Sequence, residues 1–240
     1  MKAVINPQYG HHRLRRFILY IRRKIYQTRI LIPGMKERHR LEVMVGPVGF
    51  GKKLQLYQLN LLKINGLKPN HSLLDIGCGP LQGGIAFINY LEKGKYVGID
   101  ISPPALSAGN RQIEKYGLSS KNPLLILSSI FENDNIGDRK FDFFWASQIL
   151  YYFDDDMMKK LFKFVSSHLN PEGKFLGDII GEKYCASRYP DRSILHTVGS
   201  VKKIAELYGL KARSLGEIVD YGYPKRLTLR TNILIEITKT

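Results

Sequence analysis

A glycine-rich loop beside an acidic side chain is the part of the sequence best suited to hold a ligand. Segment 73–84 reads LLDIGCGPLQGG, so a short apolar run containing Asp75 passes straight into glycines that include Gly77 and Gly79. The apolar run predicts a strand, and Ile85–Leu91, apolar at helical spacing, predicts a helix. Glycine lacks the Cβ atom that keeps a ligand off the backbone, and a helix N-terminus directs free N–H groups outward. The segment therefore predicts a ligand-binding turn between a strand and a helix.

A second acid follows the next predicted strand. Tyr96–Ile99 is a β-like run that ends at Asp100, twenty-one residues after Gly79. In a parallel sheet, an acid at this spacing lies where it can accept hydrogen bonds from the ribose of a nucleoside. The two strand ends together predict a nucleoside pocket.

These two motifs resemble those of the class I S-adenosylmethionine-dependent methyltransferases. Their first motif is similar to D-I-G-C-G at 75–79, and their second-strand acid is similar to Asp100. A nicotinamide or flavin Rossmann domain more often has G-x-G-x-x-G, whereas Gln82 stands three residues after Gly79 here. That domain is the less favoured alternative, and a pocket that has lost turnover is another.

The resemblance implies S-adenosyl-L-methionine as the cofactor and gives roles to the residues after each strand. Asp75 would organise the glycine loop and the water around the methionine amine, Asp100 would bind both ribose hydroxyls, and Ile101 would pack on the adenine. Ser129 stands where related chains often carry an acid for the adenine amino group. The predicted cofactor-binding residues are Asp75, Gly77, Cys78, Gly79, Asp100, Ile101, Ser129, Ile130, Ala146 and Ser147.

Three side chains are candidates for work on the methyl acceptor. A hydroxyl acceptor must lose its proton, and Asp178 is an unusual polar residue in an apolar strand, while His196 precedes the last predicted helix. Tyr152 follows the fourth strand, where an aromatic face near a positively charged sulfur would be favourable. A structural role is the alternative for each of them. No metal site is predicted.

Strands and helices alternate along the chain from Ser72 onward. This order predicts an α/β fold with a doubly wound, mostly parallel sheet. The two final strands have no helix between them, so an antiparallel C-terminal hairpin is expected, as the resemblance also implies. The predicted strands are 72–76, 95–99, 124–128, 141–147, 173–180, 212–219 and 227–237, and the predicted helices of this domain are 82–92, 104–116, 155–169 and 199–208.

Charge is concentrated at the N-terminus. The formal net charge is +16, of which residues 1–63 carry +12, because they contain fourteen Lys and Arg but only two Glu. We therefore predict a basic helical extension over 1–63 and a methyltransferase domain over 64–240. Within the extension, residues 11–32 predict an amphipathic helix. It would either cover an edge of the domain or contact an anionic membrane surface.

Composition also bears on location. Two cysteines in 240 residues make a disulfide framework unexpected, and no apolar run approaches the roughly 20 residues that cross a bilayer. Segment 46–53, GPVGFGKK, nearly matches a P-loop, but Lys53 stands where Ser or Thr would bind magnesium. We expect a cytoplasmic protein, with membrane association through residues 11–32 left open.

The favoured function is O-methylation of a small molecule or glycan. The core resembles bacterial enzymes of that kind around GPLQGG, KYVGID and the YGYPKR turn. Methylation of nucleic acid, with the basic N-terminal helix on phosphates, is the first alternative. A non-catalytic subunit with the same fold is the second.

Overall fold

The structure is a computed structural model that describes residues 49–128, 136–180, 194–225 and 232–240. The amphipathic helix predicted within 11–32 lies outside these residues, and so do Ser129 and Ile130. The division of the chain at residue 63 stays a prediction.

Five helices and seven strands make up the described chain, and three short 3-10 turns connect some of them. The helices are α1 (Gly51–Ile64), α2 (Gly84–Tyr90), α3 (Pro103–Lys115), α4 (Asp155–His168) and α5 (Val198–Glu206). The strands are β1 (Leu73–Ile76), β2 (Tyr96–Asp100), β3 (Leu124–Leu127), β4 (Phe141–Ala146), β5 (Leu169–Ile180), β6 (Leu210–Glu217) and β7 (Asn232–Lys239).

The strands form one sheet in the order β3-β2-β1-β4-β5-β7-β6. The first five are parallel to one another, and β7 runs antiparallel to both of its neighbours. The chain leaves β1 toward β2 and β3 and later returns to β4 on the other side of β1. Ligands of open α/β sheets bind at such a switch point, outside the carboxyl ends of the strands. The predicted doubly wound sheet with an antiparallel C-terminal hairpin is confirmed.

Both faces of the sheet are buried, which explains why its strands are apolar in runs rather than in alternation. On one face Phe144 packs with Phe162 of α4 and Val201 of α5. On the other face Trp145 belongs to a cluster that includes side chains of α1, α2 and α3. Phe144 and Trp145, neighbours on β4, therefore pack into the hydrophobic cores on opposite faces of the sheet.

Three of the five described helices, α3, α4 and α5, follow a residue whose side chain accepts a hydrogen bond from a free backbone N–H group. Asp154 accepts a hydrogen bond from Met157 N at 2.8 Å before α4. Thr197 accepts one from Ser200 N at 2.9 Å before α5. These caps place the starts of both helices within one residue of the predicted starts.

Strand β5 begins four residues earlier than the sequence predicts. The segment N-P-E-G at 170–173 has the composition of a turn. In the structure Leu169 nevertheless pairs with Phe141, and the pairing resumes at Phe143 with Lys174, so the intervening residues form an irregularity within a continuous strand. Asn170 secures it by donating to Asp142 Oδ1 at 2.7 Å.

Helix α1 is part of the core that supports the sheet. Leu61 and Leu62 are fully buried. Gln58 Oε1 accepts a hydrogen bond from Trp145 Nε1 at 3.0 Å, between two buried side chains 87 residues apart. The contact ties α1 to the end of β4. Within the described residues, no helix is both long enough and apolar enough to span a membrane.

We predict that Gln58→Ala lowers the free energy of unfolding by about 1–3 kcal/mol, because it leaves the buried indole N–H without its acceptor. Urea unfolding followed by the emission of Trp145, the sole tryptophan, measures the change. Gln55→Ala, on the half-buried side of the same helix, is the matched control. Equal stability of the two variants would contradict the role given to this contact.

Candidate functional site

The glycine loop after β1 is anchored to the neighbouring strand. Gly77 N and Cys78 N both donate to Ile99 O, at 2.8 and 3.0 Å. Gly77 has a φ of +70° and Gly79 a φ of +54°, values that side-chain-bearing residues rarely adopt. The side chain of Ile149, in the turn after β4, packs directly against Gly77, where an added Cβ would overlap Ile149 Cδ1.

Asp100 joins the glycine loop to the start of α3. Its Oδ2 accepts from Gly79 N and its Oδ1 accepts from Ser102 N, both at 2.8 Å. A carboxylate has about four acceptor positions, so each oxygen can accept one more donor. The carboxylate therefore shapes the loop and keeps the capacity to bind two hydroxyl groups.

Two large apolar side chains are exposed beside this carboxylate. Ile101 is 70% exposed and Leu127, at the end of β3, is 53% exposed. Asp100 pairs with Leu127 across β2 and β3, so the two apolar side chains lie at adjacent strand ends. An aromatic base could cover both of them.

Gln82 adds an unused donor in the turn before α2. Its Nε2 atom is buried and has no hydrogen-bond partner among the residues that the structure describes. A buried polar atom without a partner is costly, so this amide is a candidate donor to a bound ligand. The position that departs from the dinucleotide pattern therefore carries a donor at the edge of the glycine loop.

Asp75 lies beneath the loop. It is 5% exposed, and its Oδ2 accepts a hydrogen bond from Tyr96 Oη at 2.8 Å. Burial raises the pKa of this carboxyl to about 7 and the charge of Asp100 adds to the rise, while the Tyr96 hydrogen bond opposes it. Gly84 makes room for this contact, because a Cβ there would lie 2.6 Å from Tyr96 Oη. The role predicted for Asp75 toward the methionine amine stays a prediction.

Cys78 takes part in the loop through its backbone. Its side chain is 5% exposed and packs against Gly98, where an added Cβ would lie 2.8 Å from Cys78 Sγ. Burial raises the pKa of this thiol far above its ordinary value, and the charges of Asp75 and Asp100 raise it further. The thiol is therefore neutral packing material at neutral pH.

Asp178 is the centre of a hydrogen-bond network at the ends of β4 and β5. Its Oδ1 accepts from Gln148 N at 2.8 Å, and its Oδ2 accepts from Gln148 Nε2 at 2.5 Å and from Asn232 Nδ2 at 2.6 Å. Burial raises its pKa to about 6, and the hydrogen bonds from Gln148, Asn232 and Ser147 oppose the rise. Gln148 has a φ of +57°, so the network holds the turn after Ala146 in an unusual conformation.

The other two catalytic candidates differ in exposure. Tyr152 is 54% exposed, with its ring centroid 4.5 Å from that of Tyr151. His196 is 2% exposed, its Nε2 lies 2.7 Å from Phe153 O, and its Nδ1 lies 3.9 Å from Asp155 Oδ1. These contacts favour a role for His196 in holding its loop against the start of α4. The catalytic roles of all three candidates stay predictions.

The structure thus brings the predicted residues to two neighbouring places. The glycine loop, Asp75, Asp100 and Ile101 gather at the ends of β1 and β2, and Ala146, Ser147 and Asp178 gather at the ends of β4 and β5. Sequence reasoning missed two buried hydrogen-bond partners: Asn232, which binds Asp178, and Tyr96, which binds Asp75. A polar residue heading the apolar run NILIEI was a signal for Asn232, whereas nothing in the sequence pairs Tyr96 with Asp75.

Known proteins match this chain in its central part and in its fold. The family model described as "Methyltransferase domain" matches residues 74–175. A probable methyltransferase, ltbC, of Aspergillus luteorubrus is 30% identical over 114 residues, which are 45% of this chain and 39% of that protein. The chain therefore spans about two fifths of the length of this curated relative.

Solved structures with low sequence identity share the fold. An S-adenosylmethionine-dependent methyltransferase from Clostridium acetobutylicum ATCC 824 has a TM-score of 0.60 at 19% identity, over 78% of this chain and 91% of that chain. Magnesium protoporphyrin IX methyltransferase (ChlM) from Synechocystis PCC 6803, solved with bound SAH, has a TM-score of 0.62 at 14% identity, over 90% and 93%. The domain match over residues 74–175 and the shared sheet make this chain similar to S-adenosylmethionine-dependent methyltransferases.

We predict that Asp75→Asn flattens the dependence of stability on pH. The folded-state pKa of Asp75 lies above the ordinary value, so its favourable contribution is complete below about pH 4 and is lost as the pH rises toward 7. One such group changes the free energy of unfolding by about 1.4 kcal/mol per pH unit within that window. Denaturant unfolding of the ligand-free protein between pH 5 and 8 measures the slope.

Asp142→Asn is the matched control of opposite sign. Burial tends to raise the pKa of Asp142, but hydrogen bonds from Ser72 and Asn170 outweigh it and lower the pKa. Its contribution is therefore present above the ordinary pKa and is lost as the pH falls. A wild-type slope that Asp75→Asn leaves unchanged between pH 5 and 7 would contradict the burial of an ionisable Asp75.

Proposed function

We propose that the chain binds S-adenosylmethionine and transfers its methyl group to a small-molecule or glycan acceptor, most simply at a hydroxyl oxygen. One observation carries the proposal. Asp100 anchors the glycine loop, and each of its carboxylate oxygens can still accept one more hydrogen bond. It lies beside exposed apolar side chains at the switch point of the sheet. A carboxylate next to uncovered apolar surface suits a ribose joined to a flat base.

The described residues fit this cofactor. Asp100 would accept hydrogen bonds from the ribose hydroxyls, and Ile101 and Leu127 would cover the adenine. The unpartnered Gln82 Nε2 would donate to the carboxylate of the methionine part. When bound, S-adenosylmethionine supplies an electrophilic methyl group on a positively charged sulfur.

Side chains of this chain would orient the acceptor for methyl transfer. Methyl transfer needs the acceptor atom in line with the methyl group, and a hydroxyl acceptor must give up its proton. We place the acceptor beside Ser147 and Gln148, which Asp178 holds in position. The hydrogen bonds that Asp178 accepts favour a positioning role for it over proton removal. Tyr152 is the most exposed of the three catalytic candidates.

The proposed acceptor class rests on the sequence resemblance to small-molecule and glycan methyltransferases and on the structural neighbours. Magnesium protoporphyrin IX, named for one structural neighbour, is a small molecule, which supports an acceptor of that general class here. Methylation of nucleic acid and membrane contact both depend on the basic residues 1–63, most of which lie outside the described residues. Those alternatives, the non-catalytic reading and the cytoplasmic location remain predictions.

We predict that Asp100→Asn weakens binding of S-adenosylhomocysteine by about ten- to a hundredfold, because a charge-assisted contact with the ribose contributes about 1.5–3 kcal/mol. Isothermal titration calorimetry measures the affinity, and thermal unfolding checks that the loop remains folded. Asp138→Asn, at an exposed position, is the control and leaves the affinity unchanged. An Asp100→Asn variant that binds within twofold of the wild type would remove Asp100 from the site.

A further inference from the structure

The glycine loop after β1 contacts the turn that follows β4. The side chain of Ile149 lies directly over Gly77, because an added Cβ there would overlap Ile149 Cδ1 and would lie 3.3 Å from Ile149 Cγ1. Both residues are half-buried, whereas Ile76 and Cys78, the chain neighbours of Gly77, are buried. The contact therefore lies at a partly open position of the loop.

Hydrogen bonds on both sides of Ile149 fix its position. Gln148, the residue before it, has a φ of +57°, and its backbone N and its Nε2 both donate to the Asp178 carboxylate, at 2.8 and 2.5 Å. A left-handed conformation is unfavourable for a residue with a side chain, so these two hydrogen bonds stabilise it. After Ile149, Tyr152 N donates to Ile149 O at 2.9 Å. The chain on either side of Ile149 therefore holds it against Gly77.

The Asp178 carboxylate extends this line of contacts to β7. Its Oδ2 also accepts from Asn232 Nδ2 at 2.6 Å, and both residues are buried. The elements involved are neighbours in the sheet order β7-β5-β4-β1. Each is thus joined to the next: β7 to β5 by Asn232, β5 to the turn after β4 by Asp178, and that turn to the loop after β1 by Ile149.

This line of contacts joins the two places where the candidate site residues gather. Ile149 belongs to the turn that carries Ser147 and Gln148, beside which we place the acceptor, while Gly77 belongs to the loop that would hold the cofactor. Methyl transfer requires the acceptor atom in line with the methyl group, so it depends on the position of one half of the site relative to the other. Closely packed side chains resist displacement, because a gap forfeits their contacts. A direct contact between the two halves is suited to keep that geometry.

We infer that Ile149 is a positioning residue that fixes the glycine loop relative to the acceptor turn, and that Asn232 acts on the cofactor site through it. The inference rests on the proposed function, since it takes the glycine loop as the cofactor site. Neither residue needs to touch the cofactor or the acceptor. Strand β7 thereby contributes to cofactor binding from the far side of β5 and β4.

Shortening Ile149 tests its contact with the loop. We expect Ile149→Ala to weaken binding of S-adenosylhomocysteine about three- to tenfold, because the loop loses the side chain that covers it, and Ile149→Val, which removes only Cδ1, to weaken it about two- to threefold. Isothermal titration calorimetry of the full chain measures the affinities. Ile204→Ala is the control, because it removes the same atoms from the apolar cluster against which Ile149 also packs. It should lower the thermal stability without changing the affinity.

A double-mutant cycle tests whether Asn232 acts through Ile149. Asn232→Ala removes one hydrogen bond from Asp178 and should weaken binding of S-adenosylhomocysteine about two- to fivefold when Ile149 is present. In the Ile149→Ala background, where the turn no longer supports the loop, the same substitution should change the affinity by less than about 1.5-fold. Independent effects of the two substitutions, or no effect of either, would show that the inference is wrong.

A second cycle keeps the test decisive if Asn232→Ala does not fold. Gly77→Ala places a methyl group where Ile149 Cδ1 lies and also strains the positive φ at this position. Ile149→Ala relieves the overlap but not the backbone strain, so the loss of affinity caused by Gly77→Ala should be about threefold smaller in that background. An equal loss in both backgrounds would mean that the contact does not position the loop. If the wild type does not bind S-adenosylhomocysteine, the proposed function fails as well; if it binds and Ile149→Ala binds equally well, only the inference fails.

Discussion

The hydrogen bonds to Asp100 are the constraint on which the proposed site depends. One carboxylate accepts from Gly79 N in the loop after β1 and from Ser102 N at the start of α3, so it joins two strand–helix connections. Gly77 N and Cys78 N fix the start of the loop on Ile99 O, and Asp100 fixes its next residue by accepting from Gly79 N. The same atoms that shape the loop then face the position where a ribose would bind.

A second carboxylate does similar work on the acceptor side. Asp178 holds the Ser147–Gln148 turn, much as Asp100 holds the glycine loop. The architecture explains why both acids lie on the same side of the sheet, since the carboxyl ends of parallel strands meet at one edge. The acids differ in depth: Asp178 is 1% exposed and surrounded by neutral donors, while Asp100 is only partly buried. The difference suits Asp100 to contact a ligand and Asp178 to position the chain.

The sequence predicted the parts of the structure that depend on local pattern. The apolar run before Asp75, the glycines after it and the spacing to Asp100 lie within thirty residues, and the strand order places them together as expected. The contacts that sequence could not reveal join distant segments. Asn232 reaches Asp178 across 54 residues because β7 inserts antiparallel beside β5, and Gln58 reaches Trp145 across 87. Such pairs depend on strand register, which no local motif encodes.

A structure of the complex with S-adenosylhomocysteine would show whether Asp100 binds the ribose. We predict that both ribose hydroxyls lie within hydrogen-bonding distance of the Asp100 carboxylate, that the adenine lies against Ile101 and Leu127, and that the sulfur is directed toward Ser147. A ligand bound elsewhere, or an adenosine with its ribose turned away from Asp100, would contradict it.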